Sequence, residues 1–250
     1  MILCFLLFCS TVFAAPGYPK PASVTTADGV QLAASMAVPA KASRGVLLLH
    51  QDGRGKEDWD SLGRRLHHSG YAVLAVDLRT QGANATADRP TTAEDYAAMQ
   101  ADVASAITLL KSKGVVELCI VGAELGANLA VNAALPEPGV ASLVLLSPSL
   151  EVRGIIASDA VPRYGARSLL LVAGEDDRAG ARAAGVLDSR ALGVHELRLL
   201  ERGGRGVQLL LRDPSLEGVI AGWIGTHWDA KPVVEAPSRL LDLLGPLPEP

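Results

Sequence analysis

Apolar residues along this chain gather into short unbroken runs separated by segments of helical spacing. The runs are Gly45–His50, Tyr71–Asp77, Val116–Val121, Ala141–Ser147, Ser168–Ala173 and His195–Leu200. Runs of this length, continuous rather than alternating, read as strands buried on both faces, the usual condition of parallel sheets. Helices are predicted between them at Asp58–Ser69, Ala93–Lys113, Leu125–Ala134, Ala179–Leu192 and Ser215–Trp228. Ahead of the first run, Val24–Val38 reads as two short strands about the turn Ala27-Asp28-Gly29, with alternation in Val30-Gln31-Leu32. Strand alternating with helix implies right-handed crossovers. The predicted class is therefore α/β: one doubly wound, mostly parallel sheet of about eight strands, with helices on both faces. Ligand sites in such sheets lie beyond the carboxyl ends of the strands. The stretch after Ser147 is too short for a separate cap domain, and no internal repeat is visible.

Composition narrows this picture. With 250 residues, 49% of them hydrophobic, the chain can bury one sizeable core. Aromatics make up only 4%, so that core is aliphatic. A net charge of -4 disfavours a nucleic-acid partner. Met1 to Ala15 is an apolar run ending in small residues, as in a secretory signal. Val12 and Ala14 fit cleavage after Ala14. The expected plan is a signal peptide over 1–14, a domain over 15–228, and a proline-rich tail over 229–250, with the product periplasmic or secreted. An uncleaved anchor is the alternative, although the run is short against the roughly 20 apolar residues of a membrane span. Cleavage leaves no membrane span, and removes Cys4 and Cys9. Cys119 then stands alone on an apolar strand, where packing is expected rather than reactivity.

The chemistry-bearing positions fall at or just beyond the ends of the predicted strands. His50-Gln51-Asp52-Gly53 follows the first run, and Asp77-Leu78-Arg79-Thr80-Gln81-Gly82 follows the second. In Cys119 to Ala130, a strand turns through Gly122 and Gly126 into a small-residue helix. This is the shape of a nucleophile elbow, with Glu124 where the motif carries serine. Ala173-Gly174-Glu175-Asp176-Asp177 ends the fifth run, and Gly203-Gly204-Arg205-Gly206 follows the sixth.

In this order the landmarks resemble the α/β-hydrolase superfamily, specifically its small, lidless, dienelactone-hydrolase-like branch of serine esterases, from about Val24 to Trp228. The resemblance implies an acid at Asp177, and puts Arg205 where the catalytic histidine belongs. It implies oxyanion-hole backbone donors from around Asp52 and from Leu125, and a structural role for His50. The Asp77–Gly82 turn looks like the family's Asp-Leu-Arg-Gly-His-Gly turn and speaks for fold alone. Ser147-Pro148-Ser149-Leu150 resembles its Ser-Pro-Gly turn. An acidic side chain at Asp52 either opposes a developing oxyanion or turns outward as a turn residue.

Arginine cannot give up its proton at working pH, so Arg205 cannot serve as a general base. Glu124 at a helix N-terminus is favoured by the helix dipole by about 0.3–1 kcal/mol, a structural reason for an acid there. A carboxylate nucleophile would still need a histidine to activate water. His67, His68, His195 and His227 lie on helices or at a distant strand, and offer no evident replacement. The expectation is an ionic plug, with Arg205 held between Glu124 and Asp177; the alternative is that drifted loops keep the three apart. A cation held by Asp52, Glu124 and Asp177 is opposed by the resident arginine, and neither metal nor cofactor is expected. The functional expectation is an exported pseudo-hydrolase with a binding or scaffold role, its open cleft leaving room for a small-molecule ligand. The alternative is an active hydrolase of ester, lactone or peptide-like bonds working through a carboxylate. The oligomeric state is not legible in the sequence.

Overall fold

The computed structural model describes residues 17–228. It opens with β1 (Pro21–Thr25) and β2 (Gln31–Ala37), an antiparallel pair closed by a turn through Gly29 at φ +85°. There follow β3 (Arg44–Leu49), a 3-10 turn over Lys56–Trp59, α1 (Asp60–His68), β4 (Ala72–Val76) and α2 (Ala93–Ser112). The central elements are β5 (Glu117–Ala123), α3 (Leu125–Ala134) and β6 (Val140–Leu146). Next come a small hairpin of β7 (Glu151–Val152) with β8 (Ile155–Ile156), and α4 (Ala160–Tyr164). The last part comprises β9 (Ser168–Gly174), α5 (Arg178–Asp188), β10 (His195–Leu200), α6 (Gln208–Arg212) and α7 (Leu216–Thr226).

One eight-stranded sheet runs in the order β1-β2-β4-β3-β5-β6-β9-β10. β2 is antiparallel to both β1 and β4, and every pairing beyond β4 is parallel. Successive residues of a strand face opposite sides, so the sheet feeds two cores. Leu47 and Leu49 pack with Met99, Val103 and Ile107 of α2 and with Leu129 of α3. Val46 and Leu48 pack on the other side with Trp59, Leu62, Leu66, Trp223 and Ile224. Cys119 is fully buried in the second core, where burial pushes its thiol pKa up to about 12; it is a packing residue.

Some predicted boundaries move. The first helix is a 3-10 turn as far as Trp59 and α-helical only from Asp60. The helix expected to reach Leu192 ends at Asp188, and the one expected to reach Trp228 ends at Thr226. The β7–β8 hairpin, α4 and α6 were not anticipated, because elements of two to five residues are too short to show a period. β10 departs from the expectation of a doubly buried strand: it lies at the edge of the sheet and is half exposed. The expected signal peptide and the proline-rich tail lie outside the described residues. Among those described, no helix is long and apolar enough to cross a membrane.

The segment after β4 is anchored by buried charge. Arg79 donates to Asp102 Oδ1 through Nε (2.9 Å) and Nη2 (2.6 Å), and its backbone N–H donates to Oδ2 at 2.9 Å. A further bond, from Nη1 to Asp28 at 2.9 Å, ties in the β1–β2 turn. Asp77, fully buried, accepts from the Lys56 backbone (2.6 Å), Lys56 Nζ (2.9 Å) and the Ala83 backbone (3.0 Å). These contacts give the Asp-Leu-Arg turn its structural purpose. Removing one partner of a buried ion pair strands the other, at a cost of about 3–5 kcal/mol. Asp102→Asn is therefore predicted to lower unfolding stability by about that amount in a urea titration. Asp28→Asn, at the exposed end of the same arginine, should barely move the midpoint.

Candidate active site

The elbow is dictated by close packing of backbone against backbone. A Cβ on Gly122 would lie 2.3 Å from the Gly126 carbonyl oxygen, and one on Gly126 would lie 2.3 Å from the Leu49 carbonyl oxygen. With α3 pressed this tightly onto β3 and β5, one residue must turn the chain from strand into helix. That residue is Glu124, at φ 48°, ψ −109°, a conformation unfavourable for any side chain-bearing residue. Leu125 opens α3, so its backbone N–H belongs to the first turn, where no intrahelical acceptor exists.

Glu124 is 8% exposed, and its carboxylate forms an ion pair with Nε of Arg205. The Arg205 side chain is half exposed, so one side of its guanidinium meets the acid and the other meets water. Burial pushes the Glu124 carboxyl above the usual range, and Arg205 opposes that push without cancelling it.

The loop carrying Arg205 is held by residues to which the sequence had assigned no role at this site. The Gly206 N–H donates to Ser147 Oγ at 2.9 Å, and the Val207 N–H to Gln51 Oε1 at 2.9 Å. The Gly204 N–H donates to Asp176 Oδ1 at 2.8 Å. Gly204 (φ +71°) and Gly206 (φ +58°) supply the left-handed turns that bring the arginine round. Ser147 and Gln51 were visible only as members of loop segments, with no role of their own.

Asp177 does not join the pair, which corrects the expected three-member plug. It caps α5, with Oδ1 accepting from the Gly180 N–H at 3.2 Å, while Oδ2 is buried without a hydrogen-bond partner. Engaged along the axis of α5, the carboxylate is turned to its own helix rather than to the guanidinium. Asp177 and Arg205 still share the wall of an open cavity of about 410 Å³, together with Ser147, Leu150, Arg182 and Ala183.

Asp52 is likewise occupied elsewhere. Its Oδ1 accepts from Gln81 Nε2 (2.7 Å) and from the Tyr96 hydroxyl (2.9 Å), and its Oδ2 accepts from Arg153 Nε (2.9 Å). Arg153, at the tip of the β7–β8 hairpin, also lies over the Tyr96 ring, 5.0 Å from its centroid. Of the proposed cation ligands, then, Asp52 is committed to Arg153 and Glu124 to Arg205. Among the described residues, no group of three or more His, Cys, Asp or Glu is placed to hold a metal ion.

His50 is structural. It is fully buried, its Nε2 accepts from the Leu78 N–H at 3.0 Å, and its Nδ1 donates to the Gln51 carbonyl at 2.8 Å. Burial depresses its pKa, which favours the neutral ring that these two hydrogen bonds require. His227 stacks on Trp223 at 3.6 Å, and His67 is buried on α1. Among the described residues, no histidine hydrogen-bonds to Glu124, Asp177 or Arg205.

A parallel sheet wound on both faces, with a strained elbow between β5 and α3, defines an α/β-hydrolase scaffold. The chain belongs to the alpha/beta hydrolase family, whose profile it matches over residues 46–249. Comparison with curated proteins finds no matching sequence. Among solved structures, it is similar to a dienelactone hydrolase from Anabaena variabilis, with a TM-score of 0.70 and 20% identity over 84% of this chain and 99% of that one. It is also similar to an esterase from Pyrococcus furiosus (TM-score 0.67, 16% identity, 84% and 90% covered). An esterase from Exiguobacterium antarcticum gives a TM-score of 0.67 at 16% identity, with 82% and 99% covered. At such identities the likeness concerns the fold alone.

The raised Glu124 carboxyl has a definite sign in stability. The folded state holds this proton more tightly than the unfolded chain. The group therefore destabilises the fold progressively as pH rises through the ordinary glutamate value near 4.5 toward the higher folded value. Glu124→Gln, which stays neutral, should match wild type near pH 3.5 and gain stability relative to it as pH rises to 7. Chemical denaturation at several pH values measures this; a wild type that instead gains on the variant with rising pH would refute it.

Proposed function

We propose that this chain is an exported α/β-hydrolase-fold protein that has exchanged acyl-transfer chemistry for a binding or scaffold role. The observation that carries this reading is the Glu124–Arg205 ion pair, which sits where the fold would run its reaction. Serine-type acyl transfer needs a hydroxyl and a base that can both take and return a proton. The elbow offers a carboxylate, and its partner is a guanidinium that remains charged at working pH. Asp177, with no imidazole to orient, caps a helix. The open cavity beside the pair suits a small-molecule ligand, and the apolar leader at Met1–Ala15 supports export to the periplasm or medium.

The competing reading is hydrolysis of ester, lactone or peptide-like bonds with Glu124 as nucleophile. The strained position of Glu124 favours it. That strain, however, follows from the packing of Gly122 and Gly126 whatever residue occupies the turn. A carboxylate nucleophile would also have to leave its arginine and then be freed by an activated water for which no histidine is in place.

Short p-nitrophenyl esters separate the two readings. Purified protein is expected to show no turnover above the uncatalysed rate, and the Glu124→Ser, Arg205→His double variant should gain measurable activity. Wild-type turnover that vanishes on Glu124→Ala would overturn the non-catalytic reading. Export has its own readout: N-terminal sequencing of protein recovered from the periplasm or medium should begin at Ala15. Recovery only from the membrane fraction with Met1 intact would favour the uncleaved anchor.

A further inference from the structure

Among the described residues the outer edge of β10 is unpaired, and its sequence is self-complementary. β10 closes the sheet and pairs only with β9 among the described residues. The Val194 carbonyl accepts from the Leu169 N–H, and the Leu200 carbonyl from the Glu175 N–H, each at 2.9 Å. In a parallel ladder, alternate residues bond to the same neighbour, so Val194, Glu196, Arg198 and Leu200 are turned toward β9. The N–H and C=O groups of His195, Leu197 and Leu199 therefore point outward, and among the described residues nothing pairs with them.

Two further observations fall on the same edge. Leu192, Val194 and Leu199 are 68%, 59% and 44% exposed, an apolar concentration on a stretch that begins just ahead of β10. Glu196 and Arg198 lie on one face of the strand, where they pair with each other. A groove of about 560 Å³, lined by Glu196, Arg198, Val219 and Trp223, opens beside them between β10 and α7.

We propose that β10 is the interface of a homodimer, pairing antiparallel with β10 of a second copy about a two-fold axis at Leu197. Charge and hydrogen-bond parity together select this register. Centred on Leu197, the outward residues form hydrogen-bonded pairs, Leu197 with Leu197 and His195 with Leu199. Glu196 then faces Arg198 of the second copy in the non-hydrogen-bonded pairs, where side chains approach most closely. Centring on Glu196 would set glutamate against glutamate, and centring on Arg198 would set arginine against arginine, both unfavourable. Registers offset by half a residue would match outward groups with inward ones. The contact is isologous, so it closes at two copies and joins two eight-stranded sheets into one.

The alternative use of such charges is to guard an edge against pairing, in which case the chain stays a monomer. Sedimentation velocity across a concentration series decides between the two. Wild type is expected to reach twice the chain mass in the micromolar range. Glu196→Arg alone, or Arg198→Glu alone, places like charges opposite each other and should raise the dissociation constant at least ~10-fold. The double swap Glu196→Arg, Arg198→Glu restores complementarity and should restore the dimer. A monomer at every concentration would overturn the proposal. So would a dimer unmoved by the single reversals, or one that the double swap fails to rescue.

Discussion

The architecture of this site rests on one contact between main chains. Gly126 of α3 lies against the Leu49 carbonyl of β3, and Gly122 of β5 lies against the Gly126 carbonyl, with no room for a methyl group at either glycine. Bringing a helix this close to two strands leaves a single residue to reverse the chain, and places it in a conformation it would not choose alone. The core on the α2 side of the sheet, built largely from Leu, Val, Ile and Ala, holds the helix in place. The turn is thus a property of packing rather than of chemistry, and it accommodates glutamate as readily as a nucleophile.

Given that turn, the electrostatics follow. A carboxylate almost out of water at the elbow is costly, and its carboxyl is raised accordingly. The compensating charge comes from a loop far along the sequence, steered by Ser147 and Gln51 through bonds to the peptide N–H groups of Gly206 and Val207. A second, separate pairing of Arg153 with Asp52 neutralises the other acid near the mouth of the cleft. Two of the acids in the region are thus locally balanced by arginines, while Asp177 is held by a helix N–H instead of a cation.

Much of this was legible in the chain itself. Apolar runs gave the buried strands because a residue covered on both faces must be apolar, and α3 was delimited to the residue, from Leu125 to Ala134. Gly122, Glu124 and Gly126 announced the elbow because their spacing follows from the local geometry of a strand-to-helix turn. What escaped was of two kinds. Elements as short as β7, β8, α4 and α6 carry too few residues for a period to register. Partnerships set by side-chain direction, such as Asp52 with Arg153 or Asp177 with Gly180, depend on the path of loops that sequence spacing does not define. The expected three-member ion cluster failed for that second reason: an aspartate just ahead of a helix can be drawn to the helix instead of to the neighbouring cation.

Asp177 bears on how an acid in such a scaffold is to be read. Its carboxylate caps the N-terminus of α5 through the Gly180 N–H, so the helix itself gives a reason for an aspartate here whatever the cleft does. An acid at this position is thus no sign of activity by itself, because a helix cap accounts for it equally well. The informative positions in such proteins are those with no architectural task of their own.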